Sequence, residues 1–161
     1  MQRTYSMLGY LLATLVVLQA GAIAWFVSGM FRWINDGAYL DAAVLAERGD
    51  PHFPEELGIA AHSLNGIIVI PAVGLALLIV SFFTRDRVAM ILAGVVLALI
   101  VLQTQLGFWG PELPAAGLVH GMNALAILLV ATLAAVRMGR RIKLQRRESA
   151  AQDADATPVS G

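Results

Sequence analysis

Four long apolar runs constrain this chain more than anything else in it: about Met7 to Phe31, Leu57 to Phe83, Val88 to Trp109 and Ala115 to Met138. A bilayer core about 30 Å thick is crossed by roughly 20 residues of helix, and every run reaches that length. Within lipid, only a helix or a closed barrel satisfies the backbone. Barrel strands are short and alternate in polarity, whereas these runs are long and uniformly apolar. The expected fold is an all-α membrane protein, a four-transmembrane-helix antiparallel bundle occupying residues 1–138. Composition agrees, with 58% hydrophobic and 14% charged residues against about 45–50% and about 25% in soluble domains. A water-soluble globular fold is excluded. The first run is too long for a signal-peptide core of about 7–15 residues and lacks a small-x-small cleavage site, so it is expected to be a retained helix.

Basic residues set the expected orientation. Arg3, Arg85, Arg87, Arg137, Arg140, Arg141, Lys143, Arg146 and Arg147 fall on one side, and only Arg32 and Arg48 on the other. This places both termini in the cytoplasm. Trp25, Trp33 and Trp109 then lie toward the outer interface, where indole is favoured. The outer loop, 32–56, is longer than a plain connection. Leu40 and Val44 suggest a short interfacial helix within Tyr39–Arg48, ended by Pro51 and Pro54, and His52 in this loop is expected to be solvated. The tail, 139–161, reads as basic, resting on anionic headgroups, and then disordered.

The chemistry lies in a repeated pattern. His62-Ser-Leu-Asn65-Gly66 opens the second run and His120-Gly-Met-Asn123-Ala124 the fourth, 58 residues apart. In an up-down-up-down bundle these helices are diagonal, so the two imidazoles can face each other across the core. That arrangement suits an iron held on both axial sides in a haem b site. Small neighbours, Gly58, Gly66, Gly117, Gly121 and Ala124, leave room for a flat macrocycle, although the same residues also serve ordinary close packing of membrane helices. Asn65 and Asn123 can orient the imidazoles, bond a propionate or bond a backbone carbonyl. Counted from Arg85 and Arg137, the two histidines differ in depth by about 9 Å, with Pro71 able to kink the second helix and change that count. A bare metal site needs a third ligand from Glu55, Glu56 or Glu112.

Gln19 sits mid-way along the first run, and Gln103 and Gln105 near the end of the third. Each is read first as an interhelical hydrogen bond. Gln103, level with the histidines, is also a candidate polar contact to a cofactor or quinone headgroup. Without cysteine, disulfides, thiolate sites and covalent haem attachment are excluded. No nucleophile elbow, phosphate loop or basic-aromatic nucleic-acid patch occurs, so there is no catalytic set and nucleic acid is not an expected partner.

Gln19, His62-x-x-x-Gly66, Gln103 and His120-x-x-Asn123-Ala124-Leu125 together resemble a family of small four-helix bacterial membrane proteins of unknown function. More distantly, the layout is similar to one half of heme A synthase, whose four-helix halves place haem-binding histidines near the outer ends of their second and fourth helices. The resemblance implies haem binding at His62 and His120. With no cysteine pair in the outer loop and a single bundle, it does not imply synthase activity. The expected function is therefore electron transfer or redox sensing through one b-type haem, with a lipid bilayer and a redox partner or larger membrane complex as partners. The alternative is a cofactor-free structural or accessory subunit of such a complex.

Overall fold

The computed structural model describes residues 1–47 and 49–156; Arg48, part of the expected charge count, and the end of the tail, 157–161, lie outside them. The described residues form α1 (Gln2–Asn35), a short α2 (Ala42–Ala46), α3 (Pro54–Phe82), α4 (Arg87–Trp109) and α5 (Pro114–Ala156), with no strand among them. Four of these helices are long and apolar enough to cross a membrane. The chain is accordingly a multi-pass membrane protein.

The helices pack in a ring: α1 against α3 and α5, and α4 against α3 and α5. Small residues set the close approaches, as is usual where lipid removes the hydrophobic drive between helices. A Cβ on Gly9 would lie 2.9 Å from the Ala135 Cβ, and one on Gly58 would lie 2.5 Å from the Ala22 carbonyl. Tyr5, Leu12, Leu77, Ile100, Ile127 and Met138 are fully enclosed. Large apolar side chains such as Leu118, Leu129 and Ile91 are more than 60% exposed, the surface of a bundle whose solvent is hydrocarbon.

One end of the bundle, the turn end, is closed by the connection between α3 and α4. Arg85 adopts φ 55°, a left-handed conformation that reverses the chain quickly. Asp86 then caps α4, its Oδ1 accepting from the N–H groups of Val88 (2.9 Å) and Ala89 (3.2 Å). Its Oδ2 accepts from Arg137 at 2.8 Å and from Arg141, so the turn is tied to α5. Burial alone would raise the Asp86 pKa. The hydrogen bonds from Arg137, the Ala89 N–H and Arg141 outweigh it and hold the carboxyl at about 2. Tyr5 Oη donates to the Ala89 carbonyl and Ser6 Oγ to the Ala135 carbonyl, both at 2.9 Å, which anchors the start of α1 here.

The other end, the loop end, carries residues 36–53. Asp41 caps α2 through Ala43 and Val44, so the expected short helix is present but spans only Ala42–Ala46. Phe53 stacks on Phe26 and leans on Trp33. His52 is not simply solvated as its Pro-flanked setting suggested. Its ring lies 5.7 Å from that of Trp33, with Nδ1 3.2 Å from Glu56 and Nε2 3.2 Å from Glu47. Those hydrogen bonds, Glu47 first and then Glu56, raise its pKa against a smaller effect of desolvation. Glu55 fills the space beside Gly29 and pairs with Arg32 at 2.9 Å.

The tail corrects the expectation more broadly. The apolar run ends near Met138, but α5 continues through the basic stretch to Ala156 instead of giving way to disorder. Arg, Lys, Gln, Glu and Ala are all good helix formers, and a helix already nucleated in the bundle extends through them at little cost.

Candidate functional site

His62 on α3 and His120 on α5 meet across the bundle, with ring centroids 6.2 Å apart and planes inclined at 44°. The depth difference counted from the arginines is absent because those arginines are not level. Arg137 lies within α5, opposite Asp86, whereas Arg85 lies beyond the end of α3. Counted from the Asp86–Arg137 pair, Gln103 and His120 are each seventeen residues along their own helices, and they meet.

Each histidine is held in the same way by the helix preceding it. His62 Nδ1 lies 3.1 Å from the Gln19 carbonyl, and His120 Nδ1 lies 3.0 Å from the Gln103 carbonyl. A carbonyl can only accept, so each Nδ1 carries the proton. In a neutral ring this leaves Nε2 with a bare lone pair, the form that ligates metals. The asparagines complete the pattern without touching the imidazoles. Asn65 Nδ2 donates to the Leu15 carbonyl (3.0 Å) and Gln19 Oε1 (2.9 Å), and Asn123 Nδ2 to the Leu99 carbonyl (2.9 Å) and Gln103 Oε1 (2.7 Å). Of the roles expected for them, the backbone-carbonyl bond is present, together with a glutamine clamp.

The site is thus two copies of one module: a glutamine whose carbonyl holds a histidine and whose side-chain oxygen holds an asparagine. Gln19 is the member that sequence reasoning treated as an ordinary interhelical contact. A signal for it exists. Leu15-Val-Val-Leu-Gln19 recurs as Leu99-Ile-Val-Leu-Gln103, 84 residues on, and Trp25 recurs as Trp109 at the same spacing. The histidine repeat is 58 residues because the first module contains the long loop and the second does not.

The copies differ in one respect. α3 has a π turn over Asn65–Val69, just ahead of Pro71. Proline has no N–H to donate and crowds the turn before it, and one widened turn accommodates both effects. In this module Gln19 Nε2 donates to the His62 carbonyl at 2.8 Å. Its counterpart, Gln103 Nε2, has no partner among the described residues.

Between the modules lies a cavity of about 390 Å³, lined by both histidines, both glutamines and backbone at Gly66, Gly107, Gly110 and Gly117. Its size falls within the range of small-ligand pockets, about 300–1,000 Å³. The predicted small residues divide. Gly117 lines the cavity, and Gly66 does so with the Gln19 amide pressed against it, 2.5 Å from where a Cβ would stand. Gly58 packs on α1, and Gly121 faces open space outside the cavity. Gly107, not singled out from sequence, is the glycine next to an imidazole: its Cβ would be 3.2 Å from His120 Cε1. Gln105 is exposed and takes no part.

No group of three metal-ligating side chains occurs among the described residues. Of the glutamates considered as a third ligand, Glu55 is engaged with Arg32 and Glu56 with His52. Comparisons with protein-family models, with curated proteins and with solved structures returned no match. The functional reading therefore rests on this chain's own residues.

Proposed function

We propose that this protein holds one b-type haem between His62 and His120, for electron transfer or redox sensing at the outer face of a bacterial plasma membrane. The observation that carries the reading is the pair of Nδ1-anchored imidazoles 6.2 Å apart. Two imidazoles on opposite sides of one metal, each nitrogen about 2 Å from it and each ring centre about 1 Å further back, come to a separation of about 6 Å. Anchoring Nδ1 on a carbonyl fixes the tautomer and ring orientation and makes Nε2 more basic, the usual support for a metal-bound histidine.

In this reading His62 and His120 would hold the iron, Gly107 gives the His120 ring its place, and Gly117, with open space where a Cβ would stand, would leave room for a flat ring. Asn65, Asn123 and the glutamine side chains lock the two carbonyls in place. No lysine or arginine lines the cavity, so no residue there would pair with the haem carboxylates. Without cysteine the attachment is non-covalent. The bound group would supply one-electron chemistry; the residues supply fixed ligation, which keeps reorganisation small. In this reading the bundle is antiparallel with both termini cytoplasmic, which the uneven distribution of basic residues supports. A site near one face also calls for a partner to complete any path across the bilayer.

The test is a reduced-minus-oxidised absorption spectrum of detergent-purified protein expressed with added haem. Sharp low-spin bands, lost in both His62→Ala and His120→Ala, are the expected result. Absence of bands at any haem loading would leave the cofactor-free accessory role, under which both variants fold and assemble as wild type.

A further inference from the structure

The cavity between the modules has a side opening that the histidines do not explain. The first part of α3, 57–64, packs on α1, and only its last part, 70–82, packs on α4. Over the loop-end half of the bundle α3 and α4 therefore stand apart, and the cavity is walled there by Ser63 and Ile67 on one side and Thr104 and Phe108 on the other. Ile67 is 49% and Phe108 60% exposed, so this mouth faces hydrocarbon and not the aqueous loop. Whatever enters by it comes from the lipid.

Three features define the chemistry of such a ligand. No charged side chain lines the cavity, so it is neutral. Gly117, which lines the cavity, has open space where a Cβ would stand, which leaves room for a flat ring against its backbone. Two polar groups on opposite walls, Gln103 Nε2 and Ser63 Oγ, line the space and have no hydrogen-bond partner among the described residues. At membrane depth such donors are costly unless a ligand oxygen meets them. A neutral, flat, lipid-soluble ring carrying two carbonyl oxygens is a quinone. We infer that the cleft between α3 and α4 is a binding slot for a quinone headgroup, with Gln103 and Ser63 as its hydrogen-bond donors. The asymmetry between modules fits this assignment: Gln19 has spent its amide on the His62 carbonyl, and Gln103 has kept its own free. This inference goes beyond the haem reading: the slot belongs to the same cavity, so the quinone is the ligand of the haem-free protein and the two would compete for the space.

The test uses full-length, haem-free protein in nanodiscs, titrated with decylubiquinone and followed by quenching of tryptophan fluorescence, Trp109 being next to Phe108. Saturable quenching is expected. Ser63→Ala should weaken it about fivefold, the worth of one neutral hydrogen bond. Gln103→Glu, which retains the oxygen that holds Asn123, should weaken it by at least as much. Leu129→Ala, on the lipid face, should bind as wild type and controls for general loss of structure. Equal binding of decylbenzene would overturn the inference and make the cleft an acyl-chain groove, as would affinities unchanged in both site variants. Because no haem is present, failure here is distinguishable from failure of the haem reading.

Discussion

Replacing Asp86 by asparagine isolates the ion-pair share of the turn-end clamp, because asparagine keeps a capping oxygen for Val88 and Ala89 but loses the charge facing Arg137 and Arg141. The Asp86 carboxyl is depressed from 3.8 to about 2. At 1.36 kcal/mol per unit this corresponds to about 2.5 kcal/mol. The carboxylate itself is 3% exposed, but both arginines are more than a third exposed, so solvent screening reduces the figure to about 1–2 kcal/mol. A depressed folded-state pKa contributes stability that is fully present above the unfolded value near 4 and lost as pH falls through about 2. At pH 7 the whole amount is at stake. Thermal unfolding in detergent at pH 7 should show Asp86→Asn destabilised by about 1–2 kcal/mol, less at high salt. Asp86→Ala should lose about 1 kcal/mol more with the cap. An Asp86→Asn protein that melts with wild type, or an alanine variant no worse than the asparagine one, would refute this account of the turn.

Asn65→Leu and Asn123→Leu each remove two interhelical hydrogen bonds and orphan a glutamine oxygen; at about 0.6 kcal/mol and at most about 1.7 per bond, each should cost about 1–3 kcal/mol in steric-trapping measurements, and the two costs should be similar. Gly29→Ala puts a Cβ 2.3 Å from that of Glu55, so it should displace the start of α3, break the Arg32–Glu55 pair and lower the melting temperature, whereas Gly21→Ala, in open space, should not. His52 has a raised folded-state pKa, so its pairs with Glu47 and Glu56 stabilise the loop fully below about pH 6.5 and progressively less as pH rises through the raised value. Amide protection factors over residues 49–56, corrected for the intrinsic pH dependence of exchange, should therefore be larger at pH 5.5 than at pH 8.5, a difference that His52→Gln abolishes.

The helices were legible because lipid removes alternatives: a run of twenty apolar residues has one backbone solution. Their ends were less legible. α5 continues past Met138 because helix propensity, not hydropathy, governs the residues beyond it. The histidine–asparagine repeat announced the site, and it did so because both copies lie near the start of their helices, soon after Pro54 and Pro114. Gln19 was harder to recognise as the anchor of His62. Its bond to the imidazole is made by a backbone carbonyl, which carries no residue signature, and the loop of residues 36–53 puts its repeat on a different spacing from that of the histidines. Gly107 gave no signal by type either, since its role depends on α4 facing α5 at that level. The free amide of Gln103 could be read only once Gln19 was seen to have used its own.

The central claim, one haem on two imidazoles, is tested most directly by titrating haem into the purified haem-free protein and following the low-spin absorption of the product. Saturation at one haem per chain in wild type, with no low-spin product in His62→Ala or in His120→Ala, is the predicted result. Low-spin binding that survives loss of either histidine, or haem uptake that never saturates, would contradict it.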